Sequence, residues 1–167
     1  MKLFYRHFGE GAPIIILHGL FGLSDNWVTH AKRIAEKFSV YLPDLRNHGQ
    51  SPHSPTFNYA AMADDLYEFI DEHKLKNPVI IGHSMGGKVA MWFALEYPDL
   101  LEKLIVVDIS PAKYADRDAH FDIISAMMSI DFEAVHTREE VEELLKHSIP
   151  HYGTRLFILK NLYRKTR

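Results

Sequence analysis

In the string Gly82-His83-Ser84-Met85-Gly86-Gly87, a serine stands between an apolar run, Pro78-Val79-Ile80-Ile81, and a helical run beginning at Lys88. A strand that passes straight into a helix must fold back sharply at the residue between them. Glycine two positions to either side lets neighbouring backbone approach where a Cβ would block it. This is the nucleophile-elbow pattern, in which the turn lifts a serine hydroxyl clear of the chain. A free serine hydroxyl is a weak nucleophile, so the pattern asks for a base, usually a histidine held by a carboxylate. An inert serine in a glycine turn is the plainer alternative. The strand before Ser84 and the helix after it favour the nucleophile.

The rest of the chain supplies a sheet for that turn to sit on. Residues 2–8 alternate as an edge strand would, and 13–17 form a β-branched run bounded by Gly11 and Gly19. Ser24 or Asp25 is expected to cap a helix reaching about residue 37, with Trp27, Ile34 and Phe38 on its inner face. Residues 39–42 read as a strand stopped by Pro43, and 44–58 as a loop. A helix over 59–73 turns Met62, Leu66, Phe69 and Ile70 inward; the elbow segment follows, then a strand over 103–108. Strands alternating with helices at this spacing predict a doubly wound, mostly parallel α/β sheet covered on both faces. Ligands of such sheets sit at the carboxyl ends of the strands. The segments His18-Gly19, 44–51, Ser84 and Asp108 all fall at those ends.

After Pro111 the pattern changes to helices over 116–129, 138–147 and 154–165, with no strand between them. The chain is therefore divided into a core over 1–111 and a helical segment over 112–167, expected to begin a cap of the same domain. Residues 164–167 read as a solvated helix end. The strand over 104–107 is apolar on both faces, as in the middle of a sheet, so without a neighbour it would be a self-association hazard.

Composition narrows the function classes. With 167 residues, 47% of them hydrophobic, the chain can build one domain's core. A net charge of −3 argues against nucleic acid or an anionic membrane as partner. The absence of cysteine excludes disulfides and thiolate metal sites and suits a reducing compartment. No signal-peptide pattern or membrane-length apolar stretch is found, so a cytoplasmic protein is expected. The histidines are scattered without ligand spacing such as HExxH, and no metal or cofactor is expected.

An acyl-transfer serine needs donors for the oxyanion. The Met85 amide, first in the elbow helix, is one, helped by the helix dipole; the loop over 18–22 should provide the second. Asp108, ending its strand, is the candidate acid that would hold a histidine in the proton-accepting tautomer; a turn-capping aspartate is the plainer role. Asp44, Asp116 and Asp118 are weaker candidates. Phe21, Arg46 and His83 are read as pocket-wall residues, Arg46 also tying loops together. His18 and His83 are expected to fix loops by hydrogen bonding rather than to act as bases.

The strings LHGLFGLSDNW at 17–27, DLRNHGQSP at 44–52, GHSMGGKVAM at 82–91 and VVDISP at 106–111 together resemble the α/β-hydrolase superfamily, and within it the branch of small intracellular esterases and thioesterases. The resemblance covers most of the first 111 residues and is less specific beyond them. It implies hydrolysis of a small-molecule acyl ester or thioester without a cofactor, with Ser84 as nucleophile, Asp108 as triad acid, and the amides of Leu20 and Met85 as oxyanion donors. It also implies a catalytic histidine on a loop after the last strands, where this sequence is still in a cap-like helical stretch; His120, His136, His147 and His151 read as cap-surface residues. The chain is thus expected to lack the sheet's last strands and to have impaired activity. Acyl transfer, carbon–carbon hydrolysis and a non-catalytic binding protein are the alternatives. A serine at 84 argues against haloalkane dehalogenase and epoxide hydrolase chemistry, which use an aspartate there.

Overall fold

The computed structural model describes residues 1–112 and 118–163. The chain divides into two compact units, Met1–Pro111 and Ala112–Arg167. Asp116 and residues 164–167, singled out above, lie outside the described residues.

The first unit holds one five-stranded sheet. Its strands are β1 (Tyr5–Phe8), β2 (Pro13–Leu17), β3 (Ser39–Pro43), β4 (Val79–His83) and β5 (Lys103–Val107), in the order β1-β3-β2-β4-β5. β1 runs antiparallel on the edge against β3, and the other neighbours are parallel. The mostly parallel α/β sheet expected from the sequence is the one observed. Its helices are α1 (Val28–Ile34), α2 (Tyr59–Glu72) and α3 (Met85–Glu96).

The alternation of side chains along a strand decides which helix packs where. Ile15 and Leu17 on β2 pack with Met62, Leu66, Val89 and Phe93 of α2 and α3. Ile14 and Ile16, pointing the other way, pack with Ala31 of α1 and with Val40 and Leu42 of β3. Burying each such aliphatic or aromatic side chain stabilises the fold by about 1.5–3 kcal/mol relative to exposure. With both faces covered, β2 has to be apolar throughout.

The first helix differs from expectation. Residues Ser24–Trp27 form a 3-10 turn, and α1 stops at Ile34. Neither Ser24 nor Asp25 caps it; the Ser24 hydroxyl instead accepts from Arg6 Nε at 3.3 Å. Phe38 falls past the helix end and is exposed. β5 shows the edge that its sequence suggests. Ile105 is 45% and Val106 36% exposed, and among the described residues no strand pairs with its outer side.

The second unit contains α4 (Asp118–Met128), α5 (Arg138–Leu145) and α6 (Tyr152–Leu159), around Ala126, Val141, Leu145, Ile149, Ile158 and Leu159. A capping box starts α5: Thr137 Oγ1 accepts from the Glu140 amide at 3.1 Å, and the Glu140 carboxylate accepts from the Thr137 amide at 3.3 Å. Buried Arg155 donates from Nε to Glu142 at 2.6 Å and from Nη1 to the carbonyls of Ile149 and Pro150. An apolar cavity of about 470 Å³ opens beside Met127, Phe132 and Leu162. Among the described residues no helix is long and apolar enough to cross a membrane.

Candidate active site

The four parallel strands deliver their carboxyl ends to one rim, and each of those ends carries a non-glycine residue with positive φ. They are Phe21 (φ 60°), Asn47 (φ 64°), Ser84 (φ 50°) and Asp108 (φ 53°). Each such residue costs on the order of 1–3 kcal/mol and persists only where its surroundings over-determine it.

At the β4–α3 junction the surroundings do so through backbone. Ser84 adopts φ 50°, ψ −117°, its amide donates to the Val107 carbonyl at 3.0 Å, and its own carbonyl accepts from the Lys88 amide at 3.2 Å. A Cβ on Gly82 would stand 2.4 Å from the Gly86 carbonyl oxygen, and one on Gly86 would stand 2.5 Å from that of Leu17. A Cβ on Gly87 would meet Ile109 Cγ2 at 2.5 Å. Glycine is required at these places because strand, turn and helix are pressed together. Gly19 comes close from another side, though less tightly: its Cβ would lie 3.2 Å from that of Ser84 and 3.1 Å from His83 Nδ1. The loop after β2 therefore touches the serine turn.

Ser84 is half-buried, and among the described residues its hydroxyl has no hydrogen-bond partner. The amides of Leu20 and Met85 likewise have no acceptor among the described residues. The neighbouring loop amides are occupied: Phe21 donates to His48 Nε2 at 3.2 Å and Gly22 to the Gly19 carbonyl at 3.0 Å. Two free amides beside a free hydroxyl are what an incoming carbonyl oxygen would need.

His18 and His48 are both buried and both committed. His18 Nε2 accepts from the Leu45 amide at 3.0 Å, so its proton is on Nδ1, which donates to the Gly19 carbonyl at 2.9 Å. His48 has the same tautomer, with Nδ1 donating to the Arg46 carbonyl at 2.9 Å. Burial pushes the His18 pKa down to about 4 and lowers that of His48 as well. Neither ring has a nitrogen left to serve as base; both tie strand-end loops together, as expected for His18.

Asp108 points outward, with 88% of its side chain exposed. Its carboxylate Oδ2 lies 3.9 Å from His83 Nε2. His83 also packs edge-on to Trp27 with ring centroids 6.1 Å apart. Phe21 lies half-buried in the loop touching the serine turn. Arg46 is buried, and its guanidinium is used inside the protein, on Asp65 and the carbonyls of Thr56 and Ala61. It ties loops rather than facing a pocket. Asp44 is another loop organiser, accepting from the amides of Ser24 at 2.6 Å and Gln50 at 2.9 Å. A Cβ on Gly49 would lie 2.1 Å from the Asp44 carboxylate. Asp65 was missed in the sequence, although it interrupts the apolar stripe of α2 between Met62 and Leu66. Among the described residues no group of three or more His, Asp or Glu side chains could hold a metal ion.

Residues 12–140 match the family described as alpha/beta hydrolase fold. The sn-1-specific diacylglycerol lipase ABHD11 of Xenopus laevis is 38% identical over 161 residues, which cover 93% of this chain and 52% of that protein. Esterase YbfF of Escherichia coli is 35% identical over 152 residues, 91% of this chain and 59% of that one. A solved marine microorganism esterase superposes with a TM-score of 0.95 at 48% identity, covering 98% of this chain and 65% of its own. The chain spans about half the length of the curated relatives it matches.

Proposed function

The chain belongs to the α/β-hydrolase family, and on that premise we propose that it is a serine hydrolase of small or medium acyl esters or thioesters. Ser84 Oγ attacks the substrate carbonyl carbon and gives up its proton to a base. The amides of Leu20 and Met85 hold the oxyanion. Collapse of the tetrahedral intermediate expels the alcohol or thiol, which leaves protonated, and water then releases the acid from the acyl-enzyme. Asp108 is the triad acid. The relatives' names, lipase and esterase, favour an ester substrate. The observation that carries the reading is the strained Ser84 at the end of β4, with its hydroxyl and the amides of Leu20 and Met85 making no hydrogen bond among the described residues.

Among the described residues no histidine hydrogen-bonds the Ser84 hydroxyl, and the reading carries with it impaired turnover for these 167 residues taken by themselves. A triad lacking one member loses orders of magnitude in rate while oxyanion and binding contributions survive. Residues 112–167 belong to the cap segment of the fold, a cytoplasmic location suits a cysteine-free chain, and the open side of β5 supports self-association. A fluorophosphonate probe tests the chemistry. Labelling that disappears in Ser84→Ala supports the hydrolase; folded protein that takes no label favours a non-catalytic binding role.

A further inference from the structure

The loop between β2 and the 3-10 turn is a β-turn over residues 19–22, closed by the Gly22 amide on the Gly19 carbonyl. Its third residue, Phe21, has φ 60°, the sign that a type II turn requires and that ordinarily selects glycine. A phenylalanine holds this conformation only against a steady restraint. One such restraint is His48. Its Nε2 accepts the Phe21 N–H at 3.2 Å, which fixes the peptide between Leu20 and Phe21 in the flipped orientation. The preceding peptide is fixed from its other end, because the Gly19 carbonyl takes both His18 Nδ1–H and the Gly22 amide. A trans peptide points its N–H opposite to its C=O, so the Leu20 N–H is left facing away from those donors, and it has no acceptor among the described residues.

We infer that His48 is a positioning residue for the oxyanion donor: by occupying the Phe21 amide and holding the turn in its type II form, it keeps the Leu20 amide aimed at the oxygen of the carbonyl whose carbon Ser84 would attack. This inference rests on the hydrolase reading above. His48 is itself anchored. Its Nδ1–H donates to the Arg46 carbonyl, and Arg46 is clamped to Asp65 on α2, so the brace runs from a core helix to the turn. Its ring lies 5.1 Å from that of His18 and 6.0 Å from that of Phe57, centroid to centroid. Histidine suits the task because one ring nitrogen accepts while the other donates.

The test measures the rate at which a fluorophosphonate labels Ser84 in the full chain, with inactivation rate and probe affinity separated. His48→Leu removes both hydrogen bonds and is expected to lower the inactivation rate roughly ten- to a hundredfold with affinity unchanged; loss of a whole oxyanion donor is worth about 10²–10³. His48→Gln, whose side-chain oxygen can still accept from Phe21, is expected to recover most of the rate. A purely structural role would not separate these two variants. Side-chain nitrogen spectra of the wild-type protein should show His48 protonated on Nδ1. Folded His48→Leu labelled at the wild-type rate, or a wild-type His48 carrying its proton on Nε2, would overturn the inference. Should His48→Leu not fold, His48→Gln and the tautomer decide. Wild-type protein that takes no label removes the hydrolase reading and the positioning role with it, whereas the tautomer reports the brace separately.

Discussion

Asp65 grips Arg46 through both carboxylate oxygens, Oδ2 to Nε at 2.6 Å and Oδ1 to Nη2 at 2.8 Å. Only 2% of the Asp65 side chain and 8% of that of Arg46 is exposed. Removing one partner strands a buried charge. Asp65→Ala is expected to cost about 3–5 kcal/mol in urea unfolding. The double variant Arg46→Met, Asp65→Leu should recover part of that loss, because no buried guanidinium is left unpaired and the Met1 ammonium, which also contacts Asp65, keeps Glu68 as its partner; a double variant worse than the single would refute the argument.

Ser84 sits in a conformation that suits glycine better than serine, with φ 50° and ψ −117°. Ser84→Gly should therefore raise the unfolding free energy by roughly 1 kcal/mol while abolishing covalent labelling. A variant less stable than the wild type would show that the turn stores no strain.

Gly86 faces the Leu17 carbonyl so closely that a methyl there would overlap it at 2.5 Å. The nearest atoms are all backbone, of Leu17 and His18, so no side chain can swing away. Gly86→Ala is predicted to destabilise the first unit by about 3 kcal/mol, at the upper end for overpacking. Gly19→Ala, where the nearest atoms are side-chain atoms at 3.1–3.2 Å, should cost less. Thermal melts of the two variants give the order.

Acid should weaken the fold through His18. Burial holds its folded pKa at about 4, against an ordinary value near 6.5. Between those values the unfolded chain binds a proton that the folded chain does not, so stability rises with pH across this window. The contribution is complete above about pH 6.5 and falls by about 3 kcal/mol as pH drops to 4. His48, shifted in the same direction, adds to the slope. His18→Gln, which does not titrate, should show a flatter dependence of the urea midpoint on pH; an unchanged slope would place the sensitivity elsewhere.

The open side of β5 is expected to cause concentration-dependent association, with Ile105 and Val106 at the contact. Sedimentation velocity should show larger species as concentration rises, and Ile105→Lys should suppress them. Wild-type protein that stays a monomer throughout the range would dispose of the idea.

Much of this molecule was legible in the sequence where local chemistry decides structure. The run Pro13–Leu17 is β-branched and apolar because both its faces are covered, and the glycines around Ser84 mark a close approach to the carbonyls of Gly86 and Leu17. Partnerships across long sequence separations were not legible. Nothing near Arg46 announces Asp65, and nothing near Phe21 announces His48, because both pairings depend on how strand ends meet. The helix expected to reach residue 37 ends at Ile34, and Phe38, which looked inward on a helical count, lies beyond it and is exposed. Ser24, expected as a cap, is drawn off by Arg6 and Asp44.

The strand order has a consequence for how the protein is made. β2 lies between β3 and β4, so one of its sides is filled by residues 39–41 and the other only by residues 79–82. At a synthesis rate of about 5–20 residues per second, a strand as apolar as β2 waits several seconds for its second neighbour. The Ser84 amide then waits for the Val107 carbonyl. The reactive turn is thus completed only after β5 has been made, and until β4 is in place the nascent chain offers a bare β2 edge to whatever holdase or neighbouring chain reaches it first.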